Sequence, residues 1–279
     1  MESYEEKCRM LREIMKEFTK ADSVVAFSGG ADSSLLLKLA VLQAKSRGTR
    51  VYAITANTEL HPMNDVEIAR NVAGEFGAEH LVLEVNEMED ADISNNPVDR
   101  CYRCKKFLFT RMVQKAEELG AEIVMDGTNA DDLLVYRPGL RAVDELGVRS
   151  PLRMAGFTKA QVRRLAEEYG ISVADRPSAP CLATRFPYGD TLTMEKMKKA
   201  DEGENFLKTL GLYNVRIRVH GAIARLEVDP EYMDKVLENR KEITLRLQEL
   251  GYSYITLDLE GFRSGSMDIG LKPDLLNAD

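Results

Sequence analysis

Hydrophobic positions along the chain fall into two alternating rhythms. Leu11, Ile14, Met15 and Phe18 recur at helical spacing and predict a helix over residues 5–18. The short apolar run Val24-Val25-Ala26-Phe27 predicts a buried strand, and a helical pattern follows from Ser34 to about Ser46. The alternation then repeats. It predicts a strand over 50–56, a helix over 62–76 with Pro62 in its first turn, and a strand over 80–85. A polar stretch over 90–99 leads to a helix over 101–119 and a strand over 122–125. Gly48, Gly77 and Gly120 stand where helix C-caps belong, just before the next strand. Strands and helices in this order predict an α/β fold built on a parallel sheet.

One more helix is expected over 158–169, capped by Thr158. Residues 171–190 carry Pro177, Pro180 and Pro187 and read as a rigid loop. The pattern then changes. After a helix over 191–210, Val215-Arg216-Ile217-Arg218-Val219 alternates at period two, which puts both arginines on one strand face. A strand over 222–228, a long helix over 230–250 and a strand over 252–257 complete a smaller α+β unit. The expected division is a domain over 1–188 and a second over 189–279, with residues 272–279 as a frayed tail.

Composition narrows the possibilities. The 279 residues carry 46 acids against 38 lysines and arginines, a net charge of −8, so nucleic acid is an unexpected partner without a local basic patch. No window of eighteen apolar residues is present, and the first residues lack a secretory pattern, so a cytoplasmic protein is expected. Four cysteines in a reducing compartment are not expected to form disulfides. With only three histidines, any soft-metal site must lean on cysteine.

The strongest local signal is Ser28-Gly29-Gly30-Ala31-Asp32-Ser33 between a strand and a helix. Two glycines let the backbone approach a ligand, and helix amides with Ser28, Ser33 and Ser34 supply donors to an anion. Asp32 beside a phosphate makes sense if it orients Mg²⁺. Ligands of open parallel sheets bind beyond the strand C-termini. Residues 55–59, which include Thr58, and Asp126-Gly127-Thr128-Asn129 end two further strands and should face the same crevice, a nucleotide site.

Cys101 and Cys104 form a CxxC in a polar, basic stretch, and Cys181 lies in the proline-rich loop near Arg176 and Arg185. A redox pair, three ligands of a [4Fe–4S] cluster with one open iron, an incomplete zinc site and unrelated thiols all fit these residues. Cys8 reads as a buried apolar filler. Arg216 and Arg218 suit a phosphate monoester. Glu195 and Glu204 read as helix-surface acids, and Glu227 and Asp229 as acids placed to help orient substrate or Mg²⁺.

The Ser-Gly-Gly-Xaa-Asp-Ser loop resembles the pyrophosphate loop (PP-loop) of the N-type ATP pyrophosphatases. That group includes GMP synthetase, NAD synthetase, asparagine synthetase and the tRNA thiolases. More of the chain resembles one family in particular, over roughly residues 10–270. Its motifs are Asn96-Pro97 with Arg100-Cys101-Tyr102-Arg103-Cys104-Lys105, Asp126-Gly127-Thr128-Asn129, Pro180-Cys181-Leu182-Ala183-Thr184-Arg185, Val215-Arg216-Ile217-Arg218 with Ala224-Arg225-Leu226-Glu227, and Gly261-Phe262-Arg263-Ser264-Gly265-Ser266-Met267. These resemble the ATP-dependent sulfur transferases that build the nickel-pincer nucleotide cofactor of lactate racemase.

The resemblance implies a PP-loop ATP pyrophosphatase sheet with a smaller C-terminal α+β domain for substrate binding and oligomerisation. It implies ATP and Mg²⁺ at Ser28, Gly29, Gly30, Asp32, Ser33, Thr58, Gly127 and Thr128. The substrate it implies is pyridinium-3,5-biscarboxylic acid mononucleotide, adenylylated with loss of pyrophosphate, its phosphate held by Arg216, Arg218 and Arg263. In one type of member the cysteine at Cys181 surrenders its own sulfur and becomes dehydroalanine. In the other, a cysteine trio, here Cys101, Cys104 and Cys181, holds a [4Fe–4S] cluster whose open iron carries hydrosulfide from a sulfide source. The full trio points to the cluster type, with Cys181 and Asp32 as the catalytic residues. A homo-oligomer, often a hexamer, is implied as well. The rival readings are a tRNA thiolase, an ammonia-dependent amidating enzyme and a nucleotide-sensing protein.

Overall fold

The chain begins its first helix with a reciprocal cap: the Ser3 hydroxyl accepts from the Glu6 amide, and the Glu6 carboxylate accepts from the Ser3 amide. The helix, α1 (Tyr4–Phe18), buries Cys8, Leu11 and Met15. The structure is a computed structural model and describes residues 3–61, 64–134, 137–176, 180–263 and 265–269. The chain divides into two compact units. The first comprises Met1–Thr58, Met63–Asp92 and Asp99–Ala179; the second comprises Pro180–Asp279 together with Glu59–Pro62 and Ile93–Val98. The division thus falls before Cys181, not at 188, and the second unit takes in two earlier segments that the sequence reading gave to the first.

In the first unit α1 leads to β1 (Ser23–Ala26), α2 (Ala31–Lys45), β2 (Val51–Asn57), α3 (Asp65–Phe76) and β3 (Glu79–Glu84). Then come α4 (Glu87–Asp90), α5 (Arg100–Leu119), β4 (Ile123–Met125), a 3₁₀ turn (Ala130–Leu134), α6 (Gly139–Glu145), α7 (Pro151–Met154) and α8 (Lys159–Glu168). The four strands are parallel in the order β3-β2-β1-β4, with Val24 opposite both Tyr52 and Val124. Both sheet faces are covered, as parallel strands require. Val25 and Ala53 pack with Leu11, Leu36 and Val162 on one side; Val24, Tyr52 and Ile54 pack with Phe109 and Met112 on the other. This is the parallel α/β sheet expected from the alternation, and Cys8 lies in its core.

Some expectations change. Helix α2 starts at Ala31, earlier than its apolar pattern, because its first turn is polar. Gly77 and Gly120 are left-handed C-caps, but α2 ends at Lys45 with Ser46 as its cap, so Gly48 lies in the turn beyond. Pro62, Pro177 and residues 272–279, each given a role above, lie outside the described residues.

In the second unit a 3₁₀ turn (Leu182–Arg185) interrupts what read as a continuous loop. It is followed by α9 (Met194–Thr209), β5 (Val215–His220) and β6 (Ile223–Val228). A second 3₁₀ turn (Pro230–Tyr232), α10 (Met233–Glu238), α11 (Arg240–Glu249) and β7 (Tyr254–Leu257) complete it. β5 pairs antiparallel with β6, and β6 parallel with β7. The single helix expected over 230–250 is a 3₁₀ turn and two helices, which part at Asn239, where the backbone leaves helical geometry (φ −92°, ψ 12°) and the side-chain nitrogen donates to the Lys235 carbonyl at 2.8 Å. A side chain that competes for a helix carbonyl ends the helix there.

The core of this unit contains charge. Arg185 and Glu204 form a two-pronged ion pair at 2.8 and 2.7 Å, with side chains 3% and 2% exposed. Glu204 also accepts the Ile217 amide at 3.0 Å. Glu204 is therefore not the surface acid its polar surroundings in the sequence predict; it lies on the buried face of α9. Removing one member of a buried pair strands the other charge. Glu204→Ala should lower the unfolding free energy by about 3–5 kcal/mol in urea titrations, and Glu204→Gln by less. Asp201, one turn earlier, has its pKa raised by burial and by the charge of Glu204. The unfolded chain ionises this group at lower pH than the folded one does, so stability is lost as pH rises from the ordinary carboxylate range to the folded pKa. Asp201→Asn should raise the melting temperature at pH 7, and the gain should vanish in acid below that range.

Candidate functional site

Just past β1, Phe27 donates to the Ile54 carbonyl at 2.8 Å, and the chain then turns through Ser28, Gly29 and Gly30 into α2. Gly30 is the N-cap and has no side chain to satisfy the first amides of the helix. Those amides and the positive end of the helix dipole favour an anion. Gly29 has φ +66°, and a Cβ there would lie 3.0 Å from the Ala69 backbone of α3, so both conformation and space demand glycine. Ser33 Oγ lies 3.1 Å from Ser28 Oγ and accepts the Ser28 amide at 3.3 Å. Arg176 donates to the Gly29 carbonyl at 3.2 Å and pairs with Asp65 at 2.6 Å, bracing the loop from outside. Ser34 is fully buried.

The parallel strands bring their C-terminal ends to one edge. Thr58 follows β2 and is buried there. Gly127 follows β4, and a Cβ on it would stand 3.1 Å from both Asp32 Cβ and the Ser33 amide, so the β4 loop lies directly against the start of α2. Thr128 commits its hydroxyl proton to Asp126, whose carboxylate also accepts Ser150 Oγ at 2.6 Å. Asn129 Nδ2 approaches Asp32 Oδ1 at 3.4 Å. Asp32 thus offers carboxylate oxygens of the kind Mg²⁺ prefers, and the residues present fit that ion. Its other oxygen is ion-paired with Lys159. Sequence reasoning missed Lys159 because the only local sign was its place just after the Thr158 cap.

Cys101 and Cys104 lie one turn apart at the start of α5. Cys101 is exposed, and Arg100 Nη2 approaches its sulfur at 3.8 Å. Cys104 is half-buried and donates to Glu87, a fully buried carboxylate, at 3.3 Å. The two thiols fit a soft-metal or iron–sulfur group in donor type and spacing. Among the described residues no three His, Cys, Asp or Glu side chains are gathered as a metal site.

In the second unit Cys181 precedes the 3₁₀ turn, and Arg185 Nη1 donates to the carbonyls of Pro180 at 2.9 Å and Cys181 at 3.2 Å. Arg218 donates to the Thr184 carbonyl and to Glu227, each at 2.9 Å. Glu227 also pairs with Arg225, Arg225 with Asp258, and Asp258 with Arg263, so Arg218 and Arg263 belong to one network. Arg216 stands apart. It is 8% exposed, donates to its neighbour's carbonyl on Val215 and lies 5.3 Å from the Phe262 ring centre. Among the described residues no carboxylate is within ion-pair distance of it. Burial pushes the pKa values of Arg216 and Arg218 down. Glu227 is tied up by its arginines, and Asp229 accepts Asn214 at 2.8 Å.

Comparison with known proteins agrees with this construction. The asparagine synthase family profile matches residues 9–188. An uncharacterized protein of Synechocystis sp. is 37% identical over 95% of this chain and 97% of its own length. The pyridinium-3,5-bisthiocarboxylic acid mononucleotide synthase of Lactiplantibacillus plantarum is 39% identical over 88% of each chain. A tRNA-specific 2-thiouridylase of Rickettsia rickettsii is 28% identical over 56% of this chain and 52% of its own. With its phosphate loop on a parallel sheet and a match that runs nearly end to end, this chain is a member of the asparagine synthase family and, within it, of the family to which the Lactiplantibacillus plantarum synthase belongs.

Proposed function

We propose that the protein is an ATP-dependent sulfur transferase that converts the carboxylates of pyridinium-3,5-biscarboxylic acid mononucleotide into thiocarboxylates. The observation that carries the reading is the reach of the similarity. An alignment over 88% of the chain necessarily includes parts of both the phosphate-loop unit and the arginine-bearing unit. Only part of the chain is shared with the tRNA thiolase, and the net charge of −8 gives no support to a tRNA substrate.

The chemistry follows from the residues. The α2 amides, with Ser28 and Ser33, hold the phosphates of ATP, and Asp32 would hold a Mg²⁺ that supplies positive charge to them. A substrate carboxylate oxygen attacks the α-phosphorus, pyrophosphate leaves, and an acyl adenylate remains. Sulfide then adds to the acyl carbon, AMP departs with the activated oxygen, and a thiocarboxylate and a proton result. Arg216 holds the mononucleotide phosphate, since it is buried and no carboxylate among the described residues is ion-paired with it. Arg218 and Arg263 add to the same positive field. Cys101, Cys104 and Cys181 would hold a [4Fe–4S] cluster, which when bound supplies the chain with renewable sulfide. We place the work in the cytoplasm; no helix among the described residues is long and apolar enough to cross a membrane. We also assign the protein to a homo-oligomer, for which the exposed Tyr213, Leu245, Tyr254 and Leu259 of the second unit supply apolar surface.

The wild-type protein should release pyrophosphate from ATP only when the biscarboxylate mononucleotide is present; release without it, or none with it, sinks the reading. In the same assay Arg216→Gln should raise KM for the mononucleotide about 10- to 100-fold, the worth of a charged hydrogen bond, while leaving KM for ATP unchanged. Protein purified without oxygen should contain about four irons and four sulfides per chain, lost on Cys101→Ala, Cys104→Ala or Cys181→Ala. An iron-free chain whose mass falls by about 34 Da at Cys181 after one turnover would replace the cluster with consumption of that cysteine.

A further inference from the structure

Lys159 is fixed by its backbone at the start of α8 and ends its side chain in an ion pair with Asp32. It is the first residue of α8. Its amide donates to Asp131 Oδ2 at 2.8 Å, and the Thr158–Gln161 capping box closes the turn around it. Gln161 is in turn fixed by Lys7 of α1. The ammonium, on a side chain 33% exposed, ends on Asp32, whose own side chain is 22% exposed. Asp32 is also the one acid in the phosphate loop sequence, and so the carboxylate that a nucleotide-bound divalent cation would meet. An ammonium and a divalent cation cannot both occupy the same carboxylate oxygen. Each suits it, and whichever is present raises the cost of the other.

We propose that Lys159 holds the divalent-cation position at Asp32 while no nucleotide is bound, and gives it up when a metal–nucleotide complex arrives. The inference rests on the ATP-binding reading above. The incoming triphosphate provides the ammonium with new oxygen partners at the start of α2, only a side-chain rotation away, because Lys159 is already docked beside Asp32. The backbone of α8 has no need to move. Asp32 is thereby freed for the metal in the same event that brings the metal in. Free divalent cation binds poorly, and the metal–nucleotide complex binds well. No bond is made or broken in the exchange, and no proton leaves the protein.

The test is Mn²⁺ binding to the full-length, nucleotide-free protein, followed by electron paramagnetic resonance, with Mg²⁺–ATP affinity measured in parallel by calorimetry. Lys159→Met should bind Mn²⁺ at least about tenfold more tightly than wild type, the scale expected when a charge-assisted bond no longer competes. Adding Asp32→Asn to that variant should abolish the gained site, which separates it from Mn²⁺ bound at the cysteines. Lys159→Arg keeps the cation and should stay as weak as wild type. The same Lys159→Met change should weaken Mg²⁺–ATP several-fold. Equal Mn²⁺ affinity in wild type and Lys159→Met overturns the proposal, as does tighter Mn²⁺ binding with undiminished Mg²⁺–ATP affinity. Should Lys159→Met melt early, Lys159→Gln takes its place under the same criteria. A wild type that binds no ATP would defeat the functional reading instead, and would be recognised without any variant.

Discussion

The first turn of α2 begins at a glycine that gives its amides no partner, and much of the first unit is arranged around that lack. Unsatisfied amides at a helix start are tolerable when an anion or water meets them. The sheet sets this helix start at its C-terminal edge, where Gly127 brings the β4 loop to within van der Waals contact of Asp32 and Ser33. Arg176 and Asp65 hold Gly29 from the α3 side. The core helix behind the loop, with Leu35, Leu36 and Leu37 wholly buried, keeps the whole assembly from giving way when a highly charged ligand is drawn in.

In the second unit the governing constraint is charge out of water. Arg185, Arg216 and Arg218 are all nearly inaccessible, as are Glu204 and Glu227. Glu204 answers Arg185 through both oxygens, Glu227 answers Arg218 through one and Arg225 through the other, and burial of this kind is tolerated only when the partners are hydrogen-bonded. The set is left with one guanidinium over. A folded unit that retains an unanswered buried cation is less stable than it would be with a neutral side chain there. An anion brought to that guanidinium would relieve the cost.

The long elements were legible because each has a clear period. The apolar runs of β1 and β2 and the 20-residue pattern of α5 announce themselves. The four-residue helices α4 and α7 are too short to show a period, and α6 at seven residues shows barely two turns. The phosphate loop was visible as a string, since its residues are contiguous. Lys159 was not, because its meaning comes from Asp32, 127 positions away. Glu204 was misplaced for a related reason: it shares the buried face of its helix with Met197, Ala200 and Leu207, and an acid on an apolar face leaves no trace in a pattern of hydrophobicity. The arginines of β5 carried the right spacing, but both faces of that strand are buried, so alternation alone could not say which was wet.

The hold on Cys181 has a further consequence. Arg185 grips the carbonyls of Pro180 and Cys181, and Arg218 grips that of Thr184, so the guanidinium anchors bear on main-chain oxygens common to every amino acid. The Thr184 hydroxyl joins them, accepting from Arg185 at 3.0 Å and donating to the Cys181 carbonyl at 2.8 Å. None of these three main-chain bonds passes through the Cys181 sulfur. A point substitution at 181 therefore leaves all three bonds available, whatever side chain stands there.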